Sequence, residues 1–316
     1  MTDEQVGLCV NEARAVSVDQ QIFACTSAIV SGKWSGKSLS WAYVNRAMAY
    51  ALTGKLDKAF ADAEEAISVD PGNAMAFTNR GFVYQFKNNP THALADFNEA
   101  IRLDPSNALA LNNRGEIYAE RAEYTSAIQN YSEAIRIHPE FPAALTNRAR
   151  AYFVTGALDE ALDDYSRAIK LDQNDAEAWN SRGIVYSAKG EQDSAIADFS
   201  EAIRLDPQSM SAINNRGNAY LGKRDYTRAI ADYEKALAID GSQPGLYFNR
   251  GRANYFRGAL PDAVRDFNRS IELDPISAYA LLWQEIANMR SGLTSRLGQA
   301  AKQIDMTQWP APVVRL

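Results

Sequence analysis

The triplet Asn-Arg-Gly, or a near copy of it, begins at Asn45, Asn79, Asn113, Asn147, Ser181, Asn215 and Asn249, each start 34 residues after the last. A strict period constrains a chain more than its composition does, because every unit must fit its neighbour in the same way. A chain of 316 residues could hold several ordinary domains, but the period predicts one continuous array. No low-complexity tract or Pro/Gly/Ser-rich linker divides it.

The units begin at Ser40, Ala74, Ala108, Pro142, Ala176, Met210 and Pro244, which gives 40–73, 74–107, 108–141, 142–175, 176–209, 210–243 and 244–277. In the third unit Leu111, Gly115 and Tyr118 fall at i, i+4 and i+7, and Ala127, Tyr131 and Ala134 repeat the spacing sixteen residues on. Such spacing predicts two short amphipathic helices per unit. The turn between them carries Gly54, Gly156, Gly190 and Gly258 where a helix end favours positive φ, with Asn88, Ala122 and Arg224 in the same column. The second helix is expected to stop at Asp70-Pro71, Asp104-Pro105, His138-Pro139, Asp206-Pro207 and Asp274-Pro275, since proline disfavours the helical region for the residue before it. Gln173 and Gly241 depart from that pattern.

Small residues allow close helix approach. Gly81, Gly115, Gly183, Gly217 and Gly251, with Ala47 and Ala149, recur on the first helix, and Ala59, Ala93, Ala127, Ala161, Ala195, Ala229 and Ala263 on the second. Rings surround them: Tyr50, Tyr84, Tyr118, Tyr152, Tyr186 and Tyr220 on the first helix, and Phe97, Tyr131, Tyr165, Phe199, Tyr233 and Phe267 on the second. Small, aromatic and proline positions at this period resemble the tetratricopeptide repeat (TPR), over residues 40–277. The resemblance implies an all-α fold, a right-handed superhelical solenoid of antiparallel helix pairs. Asn254 in place of the recurrent tyrosine, and Ala63 in place of the second-helix ring, depart from the pattern.

Arg46, Arg80, Arg114, Arg148, Arg182, Arg216 and Arg250 each precede by sixteen residues an aspartate, or in one case Asn130. In an antiparallel pair that spacing sets the two side chains level, which predicts a structural ion pair within each repeat. The asparagines have a different prospect. If the first helices line the concave side, Asn45, Asn79, Asn113, Asn147, Asn215 and Asn249 form a ladder, interrupted by Ser181. An amide both donates and accepts, as gripping a peptide backbone requires. The ladder is similar to the one in the repeat domain of O-GlcNAc transferases; the alternative is that each amide bonds neighbouring backbone. Specificity is expected from Phe82, Gln85, Asn112, Glu116, Arg150, Phe153, Asn180, Asn218, Arg252 and Tyr255 on the same face. No three consecutive repeats supply the lysines, asparagines and arginine of the carboxylate clamp in chaperone-binding family members, which disfavours a chaperone C-terminus as ligand.

The ends differ from the array, as caps must. Residues 1–39 read as a degenerate helix pair with the only cysteines, Cys9 and Cys25. Two readings stay open: two small buried thiols in a reducing cytosol, or a disulfide stapling the cap, as the likeness of the CTSAI segment to exported bacterial relatives implies. Residues 278–316 read as a closing cap whose helical pair extends to Ile304, with Trp283 in the ladder column, and resemble the closing segment of bacterial TPR lipoprotein adaptors. Trp309, Val313, Val314 and Leu316 could pack back or serve as a self-association surface, making a homo-oligomer.

A net charge of -6 and a pI near 5.2 provide no basic stripe, so nucleic acid is not an expected partner. No apolar run approaches the roughly 18 residues of a membrane span, and MTDEQVGLCV lacks the layout of a secretory signal. As written the chain reads as cytoplasmic, or as periplasmic if the cysteines are bridged. His92 and His138 have no partners at metal-ligand spacing, and neither a P-loop nor a dinucleotide fingerprint occurs, so no metal, cofactor or catalytic residue is expected. The expected function is a non-enzymatic scaffold or adaptor holding a protein or peptide partner in the groove. The alternatives are a self-associating solenoid and an accessory module of an enzyme outside this chain.

Overall fold

The computed structural model describes residues 3–11 and 16–292, and among them every regular element is helical. Two compact units divide the chain, Met1–Ala157 and Leu158–Leu316. The first contains α1 (Asp3–Val10), α2 (Val18–Val30), a short 3-10 turn (Gly36–Leu39), α3 (Ser40–Leu52), α4 (Leu56–Val69), α5 (Ala74–Phe86), α6 (Pro90–Leu103), α7 (Ala108–Glu120), α8 (Tyr124–Ile137) and α9 (Pro142–Thr155). The second contains α10 (Leu158–Leu171), α11 (Ala176–Ala188), α12 (Gln192–Leu205), α13 (Met210–Gly222), α14 (Tyr226–Ile239), α15 (Pro244–Arg257), α16 (Leu260–Leu273) and α17 (Ala278–Arg290).

Within each unit, each helix packs on the next. In the first unit α1 pairs with α2, α3 with α4, α5 with α6 and α7 with α8; in the second, α11 pairs with α12, α13 with α14 and α15 with α16. The first helices of successive repeats also touch, α3 with α5, α5 with α7 and α7 with α9, and likewise α11 with α13, α13 with α15 and α15 with α17. They form a continuous layer within each unit, so residues of one column stand side by side. The turns behave as the sequence predicts: Gly54, Gly156, Gly190 and Gly258 have φ of 70° to 89°, and Asn88, Ala122 and Arg224 take the same left-handed region at 55°, 58° and 64°. The residue before each second-helix proline is extended, as at Asp206 (φ -127°, ψ 91°).

The core is a file of alanines and rings. Phe97, Tyr131, Phe199, Tyr233 and Phe267 are at most 1% exposed, and the second-helix alanines beside them are fully buried. At the amino end α1 lies on α2, and Cys9 and Cys25 are joined in a disulfide across a Cα–Cα distance of 4.7 Å. Of the two readings of these cysteines, the structure has the bridged one. Ala24, Ala28 and Ala42 pack around it with Leu8, Trp34 and Trp41. At the other end α17 closes on α16. The second closing helix, Trp309, Val313, Val314 and Leu316 lie outside the described residues.

Candidate functional site

The arginine column is occupied by structure. Arg46, Arg80, Arg182, Arg216 and Arg250 each hold the aspartate sixteen residues on through two bonds of 2.6–3.0 Å, the fork geometry that suits guanidinium to carboxylate. That hydrogen bond holds all five guanidinium groups above their ordinary range although burial opposes it. Arg114, whose partner is the neutral Asn130, is instead pushed down by burial. A link not foreseen from sequence runs backward. The remaining Nη1 donates to a residue on the second helix of the preceding repeat: Arg114 to Asn98 at 2.8 Å, Arg148 to Ser132 at 2.9 Å, Arg182 to Ser166 at 3.0 Å and Arg216 to Ser200 at 3.1 Å. The acceptors lie sixteen residues before each arginine, where polar residues stand throughout from Glu64 to Glu234, so the column carried the signal.

The asparagines reach sideways between repeats. Asn79 donates to the Val44 carbonyl at 2.8 Å, Asn147 to Asn112 at 3.1 Å, Asn215 to Asn180 at 3.1 Å and Asn249 to Asn214 at 3.2 Å, each partner 35 residues earlier. Asn45 bonds its own helix at Trp41. Asn113 accepts from Asn112, while its Nδ2 is buried without a partner. Much of the ladder therefore joins repeats, yet it is incompletely satisfied. Among the described residues, the buried side-chain nitrogen and oxygen atoms without a hydrogen-bond partner are Asn79 Oδ1, Gln85 Oε1, Asn113 Nδ2 and Arg252 Nε, all on first helices. Such atoms are costly unless a ligand or water meets them.

Two clefts open beside these residues at equivalent places, three repeats apart. In the first unit a cleft of about 450 Å³ is lined by Glu116, Glu120, Tyr124, Asn147, Arg150 and Val154. Glu116 is its hub, accepting from Gln85 at 3.3 Å, Asn112 at 3.0 Å and Asn147 at 2.8 Å, while Arg150 donates to Asn147. Adding 102 to those numbers gives the second unit's cleft of about 720 Å³: Asn218, Gly222, Tyr226, Asn249, Arg252 and Phe256, joined by Leu221 and Arg224. One wall position thus changes from Glu116 to Asn218 and another from Glu120 to Gly222, which leaves Arg224 and Arg252 with no carboxylate in the lining. Arg252 lies 5.7 Å from the ring centroids of both Phe248 and Trp283. Tyr255 and Phe256 meet Trp283 edge-on at 5.4 and 5.6 Å.

Of the residues expected to give specificity, Glu116 and Arg150 come together with Asn147 of the ladder in one cleft, and Asn218 and Arg252 with Asn249 of the ladder in the other. Phe82 packs on Phe86 at 4.7 Å, Tyr255 sits under Arg290, and Asn180 is taken up by Asn215. Phe153 is half-buried and lines neither cleft. Tyr124, Val154, Tyr226 and Phe256 were missed from sequence; each pair shares a column that is apolar in some repeats and polar in others. His92 and His138 are exposed. Among the described residues no cluster of three acidic, histidine or cysteine side chains is placed to hold a metal, and no helix is long and apolar enough to cross a membrane.

Family models described as TPR repeat match residues 87–121, 115–156 and 149–190, and models described as tetratricopeptide repeat match 176–209, 211–243 and 42–73. Together they cover more than half of the chain. Among solved structures the chain is similar to the APC/C hetero-tetramer Cut9-Hcn1, at 17% identity and a TM-score of 0.64, over 90% of this chain and 54% of that one; it spans about half that protein's length. It is also similar to a tetratricopeptide repeat protein from Parabacteroides merdae, at 20% identity and a TM-score of 0.54, over 78% and 98% of the two chains. A third is YrrB, described as a TPR protein with an unusual peptide-binding site, at 24% identity and a TM-score of 0.52, over 62% and 97%. At these identities the likeness is one of fold. No curated protein matches the chain in sequence.

Proposed function

Because the chain belongs to the tetratricopeptide repeat family, we propose that it is a non-catalytic scaffold that holds an extended peptide segment of a partner protein along its first helices. The observation that carries this reading is the unmet polar atoms on those helices, Asn79 Oδ1, Gln85 Oε1 and Asn113 Nδ2 in the first unit and Arg252 Nε in the second. They comprise two acceptors and two donors, the complement of a peptide's own N–H and C=O groups. Peptide binding by YrrB supports the same reading for a chain of the same fold. The clefts add local preference: Glu116 and Glu120 favour a basic or donor side chain, whereas Arg224 and Arg252 beside Phe256 and Tyr226 favour an acidic one next to an aromatic. The Cys9–Cys25 disulfide supports an oxidising compartment, the periplasm in a bacterial host.

Peptides selected from a random display library on the whole chain test the reading. A selected peptide is expected to bind Gln85→Ala/Asn113→Ala and Arg252→Ala about tenfold or more weakly, with helicity by circular dichroism unchanged. Equal affinity for wild type and both variants would remove the unmet atoms from the site. A second reading, self-association, rests on Phe23 and Val30 of α2, which are 73% and 76% exposed. It requires a mass by light scattering that rises with concentration and falls back in Phe23→Ser.

A further inference from the structure

The seventh repeat lacks a ring that the others have. In the first, fourth and fifth repeats the recurrent tyrosine lies beside the guanidinium one turn before it, Arg46 with Tyr50 at 5.8 Å and Arg148 with Tyr152 and Arg182 with Tyr186 at 5.7 Å. In the second, Tyr84 meets the preceding repeat at Phe60, 5.2 Å between centroids. The corresponding positions are Arg250 and Asn254 in the seventh repeat and Ile230 in the sixth. Asn254 carries no ring; it turns inward, donating to Asp266 at 3.0 Å and accepting from Arg257 at 3.0 Å. A cleft of about 450 Å³ remains between α14, α15 and α16, lined by Ile230, Ala231, Arg250, Asn254, Arg257 and Asp262 among others.

We propose that this cleft binds a phenol ring, as carried by tyrosine, in the place of the missing side chain. The ring face meets Arg250, as its counterparts do in three other repeats, which is the cation–π arrangement. Its apolar edge rests against the cleft wall at Ile230 and Ala231, and the hydroxyl finds a donor in Arg257 and an acceptor in Asp262. Arg250 keeps its paired bond to Asp266, so its outer face is presented without loss of the repeat's internal link. No lining side chain is shared with the cleft of Arg252 on the same helix.

The test is a titration of the whole chain with p-cresol, followed by saturation-transfer NMR, and then with N-acetyl-L-tyrosinamide as competitor. Wild type is expected to saturate with p-cresol in the millimolar range and more tightly than with toluene. Asn254→Tyr supplies the ring from within and is expected to weaken binding about tenfold or more. Ala231→Leu, an exposed helix position that overhangs the cleft, is expected to do the same without touching the core. Competition by the tyrosinamide identifies the ring of a tyrosine on a polypeptide as an occupant, and its failure beside p-cresol saturation identifies a free phenol. Absence of saturation, or unchanged binding in both variants, overturns the proposal.

Discussion

A methyl group added at Gly115 would stand 2.7 Å from Cε1 of Tyr131, closer than real contacts allow, and the same holds for Gly81 with Phe97, Gly183 with Phe199 and Gly251 with Phe267. Alanine stands in this column twice, as Ala47, where Ala63 replaces the ring, and as Ala149, where the ring Tyr165 is 5% exposed rather than the 0–1% of the rings facing glycine. Gly115→Ala is therefore expected to cost about 1–3 kcal/mol in urea unfolding by overpacking. A second residue-scale prediction concerns Arg114, alone among the described pairs in facing an amide. Asn130→Asp is expected to supply the second bond seen at Arg46, Arg80, Arg182, Arg216 and Arg250, raising stability by about 1 kcal/mol and lifting the guanidinium from its depressed state. The pairing sixteen residues forward was legible because it lies within one antiparallel pair, whose geometry follows from helix length alone. The link sixteen residues backward crosses into another repeat, and the column of its acceptors changes between serine, asparagine and glutamate along the sequence, so no single residue type announced it.

Helices and turns were the most readable scale, because glycine, proline and the 34-residue phase act locally. The starts of α3, α5, α7, α9, α11, α13 and α15 fall at Ser40, Ala74, Ala108, Pro142, Ala176, Met210 and Pro244. Which atoms of the first helices would be left over was not readable, since that depends on the rotamers of Asn79, Gln85 and Asn113 against neighbours 31 to 35 residues away. The amino cap belongs to this scale too. Its disulfide joins residues sixteen apart, a loop whose closure is worth about 3 kcal/mol in the chain-entropy account. Cys9→Ser/Cys25→Ser is expected to lower hydrogen-exchange protection in α1 and α2 while amides of α5 to α8 keep theirs, because each pair is held mainly by its neighbours. Equal loss throughout the first unit would mean that the cap is integral to the whole stack.

For the molecule as a whole, repetition replaces a single central core with a series of similar junctions. Unfolding is expected to depart from a single two-state transition, and Gly115→Ala and Gly217→Ala, in different units, are expected to add within about 0.5 kcal/mol when combined. A larger coupling between them in urea titrations would show cooperation beyond neighbouring pairs. The backward arginine link also bears on how such a chain can change its length. Excising residues 108–141 would bring Arg148 into the setting of Arg114 and exchange its acceptor Ser132 for Asn98, which already serves Arg114 at 2.8 Å. The new seam would be chemically the same as the old one. Between Glu64 and Glu234, where the column stays polar, copy number is thus free to drift by whole units without removing the acceptor, so selection can adjust the reach of the array independently of its fold.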